Sequence, residues 1–144
     1  MIEQDTVRLL RECDAGARMG VDSLNDVLGR VEDDGLRTLL TDARQEHEQL
    51  SLETRQRLDR FQDQGKSPAT MASVMSFLKT QAELMAQPTD AKIADLMTDG
   101  CNMGVKSLSK YLNQYQAADE ESKDLAKRLI TREETLAVRL RSFL

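Results

Sequence analysis

A 13-residue stretch occurs twice in this sequence without a gap. Residues 16–28 read GARMGVDSLNDVL, and residues 100–112, which lie 84 positions later, read GCNMGVKSLSKYL. Seven of the 13 positions are identical, namely Gly16/Gly100, Met19/Met103, Gly20/Gly104, Val21/Val105, Ser23/Ser107, Leu24/Leu108 and Leu28/Leu112. Similarity this dense predicts that one helical hairpin was duplicated and that the two copies pack against each other.

The composition favours an all-α protein. The chain has 144 residues, of which 40% are hydrophobic and 31% charged, with two prolines and few aromatic residues. This length is typical of a single domain with one core. Apolar residues recur every three or four positions, so we expect four long amphipathic helices in two hairpins, over 4–63 and 89–144. An extra crossover helix is expected over 68–86, because Met71, Val74, Met75, Leu78, Ala82 and Met85 share one face.

Glycines four residues apart occur inside both copies, as Gly16 and Gly20 in helix 1 and as Gly100 and Gly104 in helix 3. Each weakens a helix by about 1 kcal/mol relative to alanine, so a compensating role is expected. We predict that helices 1 and 3 cross closely there, glycine face against glycine face. The alternative is that the glycines make room for a bulky side chain or a ligand.

Two polar residues fall on the inward stripes of helices 2 and 4. The loop between helices 3 and 4 is two residues longer than the first loop, which aligns His47 with Glu133. Three interpretations are open: a buried hydrogen-bonded pair, solvent exposure of one or both, or a single metal site with Cys13, Asp14 or Glu46 as further ligands. One histidine and one glutamate are too few for the four ligands that zinc prefers.

Two related hairpins, a long second connection and polar residues at the middle of helices 2 and 4 resemble the ferritin-like, rubrerythrin-type bundles, in particular small bacterial members. The resemblance spans about residues 4–144 and implies a ferritin-like four-helix bundle. In active members, helices 1 and 3 each supply a Glu, and helices 2 and 4 each supply a Glu-x-x-His.

This sequence departs from that metal motif. Arg44 stands three residues before His47, and Ile130 stands three residues before Glu133. The inward middle positions of helices 1 and 3 hold Cys13, Gly16, Met97 and Gly100 instead of glutamates. We therefore expect no di-iron site, no catalytic residues and no cofactor. The alternative is a single iron, zinc or manganese ion at His47 and Glu133, with Cys13 and Glu46 as weaker candidates.

Charge and hydropathy argue against several classes of partner. The net charge is −5, and basic residues are interspersed with acidic ones, so nucleic acid is not expected as a partner. No apolar run approaches the ~18 residues of a membrane span, and the N-terminus is acidic and amphipathic rather than secretory. Cys13 and Cys101 form no CxxC motif and are expected to be buried small hydrophobes, which indicates the cytoplasm.

These observations predict a non-catalytic cytoplasmic bundle that acts through an unknown protein partner or through self-association. The candidate surface is the face of Met71, Met75 and Met85, because methionines form adaptable apolar surfaces. Opposite charges also occupy corresponding outer positions of the two copies, which could align neighbouring helices: Asp22, Asp26, Lys106 and Lys110. The alternative function is a degenerate metal-binding or redox protein centred on His47 and Glu133.

Overall fold

The computed structural model describes residues 2–61, 63 and 88–144. These residues form four α-helices: α1 (Ile2–Leu28), α2 (Asp34–Arg60), α3 (Asp90–Gln114) and α4 (Glu120–Leu140). A 3₁₀ turn, Arg141–Phe143, follows α4. The described residues contain no strand. The prediction of an all-α protein with four long helices is therefore confirmed. The crossover helix predicted over 68–86 lies outside the described residues.

Three helices begin at polar N-caps that the sequence supplies. Asp33, Thr89 and Asp119 each accept a hydrogen bond from the backbone N–H three residues later. Such caps satisfy one of the free N–H groups at a helix start. Helix α1 ends at Leu28, so Val31 lies beyond it in the loop. Val31 nevertheless belongs to the core, so its burial extends the apolar pattern beyond the helix itself.

Hydrogen bonds between the hairpins show that α1 and α3 run antiparallel. Asp90, the first residue of α3, accepts from the backbone N–H groups of Glu32 and Asp33, just beyond the end of α1. At the other end of the bundle, Thr6 in the first turns of α1 accepts from the backbone N–H of Asp119, just beyond the end of α3. The start of each helix is therefore fixed to the end of the other.

These two contacts are equivalent in the repeat. Thr6 lies 84 residues before Asp90, and Asp33 lies 86 residues before Asp119, so the same offsets that align the hairpins also align the hydrogen bonds. Because α1 and α3 are antiparallel, the two hairpins are related by an approximate two-fold axis perpendicular to the bundle. The axis passes between α1 and α3 on one side and between α2 and α4 on the other.

The apolar core is divided into two clusters along the bundle. One includes Ala43 and Leu136, and the other includes Leu50 and Leu129. The middle of α2 and of α4 lies between these clusters, where each helix carries the polar residue that the repeat aligns. None of the described helices is both long enough and apolar enough to cross a membrane.

Candidate functional site

His47 of α2 and Glu133 of α4 meet at the centre of the bundle, as the repeat alignment suggests. The His47 Nε2 atom is hydrogen-bonded to the Glu133 Oε1 atom. The His47 side chain is 2% exposed and that of Glu133 is 12% exposed. Of the three interpretations left open by the sequence, the geometry is that of a buried hydrogen-bonded pair.

The second ring nitrogen of His47 is engaged as well. Its Nδ1 atom lies 2.7 Å from the carbonyl oxygen of Ala43, one turn earlier in α2. A carbonyl oxygen can only accept, so the Nδ1–H group donates to it. A neutral imidazole has one N–H, which leaves Nε2 facing a carboxylate without a proton between them. The pair therefore holds one additional proton, either as imidazolium and carboxylate or as imidazole and carboxylic acid.

The surroundings of His47 act on its pKa in opposite directions. Burial lowers the pKa, because it disfavours the charged ring. The hydrogen bond to Glu133, the negative charge of Glu133 and the hydrogen bond to Ala43 act against burial, and the resulting pKa of His47 is raised above its ordinary value. The imidazolium form of His47 is therefore more stable here than it is for a histidine in water.

The glycines of the repeat lie against these two side chains. A Cβ atom at Gly20 would come within 2.5 Å of the His47 Cδ2 atom, whereas one at Gly104 would lie 3.5 Å from the Glu133 Cγ atom. The prediction of glycine packed on glycine is thus corrected in favour of its alternative, room for a bulky side chain. Each glycine of the related pair receives the polar side chain of its own hairpin partner, His47 at Gly20 and Glu133 at Gly104.

A cavity of about 70 Å³ opens between α1 and α3, with His47 and Glu133 at its floor. Five of the seven identical pairs of the repeat line it: Gly16/Gly100, Met19/Met103, Gly20/Gly104, Ser23/Ser107 and Leu24/Leu108. Ser23, Met103 and Ser107 are half-buried and Asp26 is exposed, so these residues form a rim that reaches the surface. The shared sequence of the two hairpins is therefore largely the wall of one cavity.

Cys101, and not Cys13, adjoins the polar pair. Cys101 lines the cavity and is buried, and burial, the charge of Glu133 and hydrogen bonding with Glu133 raise its pKa. Cys13 lies in the other core cluster, where burial and the charges of Glu12 and Asp14 raise its pKa to about 12. Both thiols are thus protonated at neutral pH, which makes them poor nucleophiles and poor metal ligands.

The remaining candidate ligands are engaged elsewhere. Glu46 is half-buried and forms an ion pair with Arg132, 3.6 Å away. Asp14 is fully buried beside Arg18 at 2.6 Å and Arg55 at 3.4 Å, and burial, opposed by the two arginines, raises its pKa. Within the described residues, no group of three or more His, Cys, Asp and Glu side chains is placed to hold a metal ion.

The two repeat-related glycines should differ when each is replaced by alanine. Gly20→Ala forces the buried His47 ring to move, so we expect a net loss of about 1–2 kcal/mol in the free energy of unfolding. Gly104→Ala makes only ordinary contacts and gains helix propensity, so we expect a gain of up to about 1 kcal/mol. Urea denaturation of both variants measures the difference in the free energy of unfolding. Equal effects would contradict the close packing of the His47 ring against Gly20.

The stability contributed by His47 should depend on pH. Because its pKa is higher in the folded than in the unfolded chain, the contribution is fully present below about pH 6.5 and is lost as the pH rises through the folded value. Relative to His47→Gln, the wild type should lose stability as the pH rises above about 6.5. His47 is the only histidine, so its ring NMR signal reports the titration directly. A midpoint at or below 6.5 would contradict the raised pKa.

One solved structure relates this chain to a known fold. No protein-family model matches the sequence, and no curated protein matches it. The crystal structure of a DUF305 fragment from Deinococcus radiodurans is similar, with a TM-score of 0.72 and 15% sequence identity. The similarity covers 96% of this chain and 93% of that fragment. Because the sequence identity is low, this similarity shows a shared helical fold alone.

Proposed function

We propose that this protein is a non-catalytic, cytoplasmic helical-bundle protein that acts through contacts with a partner protein. The state of its central polar groups carries the proposal. Both nitrogens of the only histidine are hydrogen-bonded within the bundle, and both cysteines are buried with raised pKa values. A histidine base needs an unengaged ring nitrogen, and a cysteine nucleophile must ionise, whereas here both ring nitrogens are engaged and both thiols stay protonated.

The rim of the cavity between α1 and α3 forms a groove, and this groove is the surface that we assign to the partner. The face of Met71, Met75 and Met85 lies outside the described residues, and the large apolar residues exposed on the described surface are scattered: Ile2, Leu52, Val138 and Leu144. Scattered apolar residues are ordinary, whereas a concave apolar site is typical of binding. The groove offers such a site, with methionine and serine at its rim.

A ferritin-like arrangement of the bundle is part of the proposal. Its support is the order of the helices: α1 is antiparallel to both α2 and α3, so Arg60 and Asp90 lie at opposite ends of the bundle. The cytoplasmic location rests on the two free cysteines.

A metal or redox site at His47 and Glu133 is the second candidate. The observation in its favour is that these side chains meet, with Cys101 beside Glu133. To coordinate an ion, His47 would have to release the proton that it shares with Glu133, and the buried thiol would have to ionise. Two ligands and a protonated thiol make a weak site, so we rank this function second.

Metal analysis separates the two candidates. The wild type and His47→Leu are incubated with iron, zinc or manganese, desalted and analysed for metal per chain. We expect no bound metal above background in either protein, because the pair is already satisfied by its shared proton. Near-stoichiometric metal that is lost in His47→Leu would overturn the proposed function in favour of the metal site.

Photo-crosslinking tests whether the groove contacts a partner. In protein produced in cells, a photoreactive amino acid replaces Met103 on the rim. In a matched control it replaces the exposed Val138 of α4. We expect one discrete protein adduct from position 103, which excess unlabelled wild type suppresses, and none from position 138. Identical adducts from both positions would contradict the assignment of the groove.

A further inference from the structure

The size and walls of the cavity restrict what can occupy it. An ordered water needs about 10–15 Å³ of cavity volume and two to four polar partners. The walls are mainly apolar, with Leu24, Val27, Met97, Leu108 and Leu129 among them. A cavity of about 70 Å³ therefore suits a short hydrocarbon chain better than a cluster of water molecules.

The floor of the cavity offers one hydrogen-bond acceptor. A carboxylate has about four acceptor positions, and in Glu133 the Oε1 atom receives the strong donor, the His47 ring. The Oε2 atom lies 3.6 Å from the position of a Cβ at Gly104, and its neighbour Cys101 is a weak donor. An additional hydroxyl donor from inside the cavity can therefore be accepted by Glu133.

The charge of the pair selects a neutral molecule. Imidazolium and carboxylate together carry no net charge, and neither do imidazole and carboxylic acid. An ammonium group would add an uncompensated positive charge to this buried site, and a carboxylate group would add a negative one. Burying an unpaired charge is far more costly than burying a hydrogen-bonded hydroxyl.

Two glycines keep the cavity open without being required by packing. A Cβ at Gly16 would lie 3.7 Å from Leu129 and one at Gly104 would lie 3.5 Å from Glu133, which are ordinary van der Waals distances. Alanine would therefore fit at both positions and would favour the helix. Glycine instead leaves that volume unfilled, in both copies of the repeat.

We infer that the cavity between α1 and α3 is a binding site for a small neutral aliphatic alcohol, with its chain among the leucines and its hydroxyl donating to Glu133. The inference goes beyond the proposed function. It concerns the isolated protein and a free small molecule. It can therefore fail while the contact with a partner protein stands, and it can stand while that contact fails.

The probes are 1-butanol, n-butylammonium and butyrate, which share a chain of similar length and differ in the charge of the head group. Protein labelled with ¹³C at the methionine methyl groups is titrated with each compound, because Met19, Met97 and Met103 line the cavity. We expect saturable shifts of these three signals with 1-butanol, and binding weaker by about tenfold or more for the two ions.

A cavity-filling variant provides the structural test. Gly16→Ala combined with Gly104→Ala should fold and be at least as stable as the wild type, yet lose the saturable shifts. Gly29→Ala, whose Cβ would meet nothing within 4 Å, is the matched control and should retain them. The inference is overturned if 1-butanol gives no saturable shift, if the filled variant binds as the wild type does, or if either ion binds equally well.

Discussion

The hydrogen bond between His47 and Glu133 is the constraint on which the rest of this bundle depends. It joins the two hairpins at the centre, between two apolar clusters that cannot supply polar partners. Since the ring is also bonded to Ala43, the pair needs an extra proton and a fixed ring orientation. Breaking such a buried pair leaves one polar group unsatisfied, so each of the two side chains depends on the other.

That orientation explains why the repeated glycines are not equivalent. The imidazole is rigid and held at both nitrogens, so its edge occupies the space beside Gly20, where a Cβ would lie 2.5 Å from the ring. The glutamate chain is flexible and leaves normal contact distance at Gly104. One glycine is thus explained by sterics, and the other by the cavity that it leaves open between α1 and α3.

The sequence predicted the fold class and aligned His47 with Glu133, because helical periodicity and the repeat offset determine which residues face inward at the same level. Their meeting was one of three interpretations that the sequence left open. The sequence did not predict that Cys101 adjoins the pair, since an apolar stripe shows which side of a helix faces the core but not which residues lie at the same level along the bundle. Counting along the antiparallel helices could have shown this. Cys101 is three residues from Gly104, whereas Cys13 is seven residues, or about 10 Å, from Gly20. Ring orientation and the open cavity depend on side-chain packing, which periodicity does not encode.

The difference between the two copies at this one position has a physical consequence. Two identical residues across the approximate two-fold axis would place like charges together, as two glutamates or two imidazolium rings, and would require a cation or a change of protonation between them. A histidine opposite a glutamate needs only the proton that they share. Two related hairpins can therefore satisfy their polar centre with one shared proton when one residue of the pair differs, and the glycines beside it line the cavity between α1 and α3.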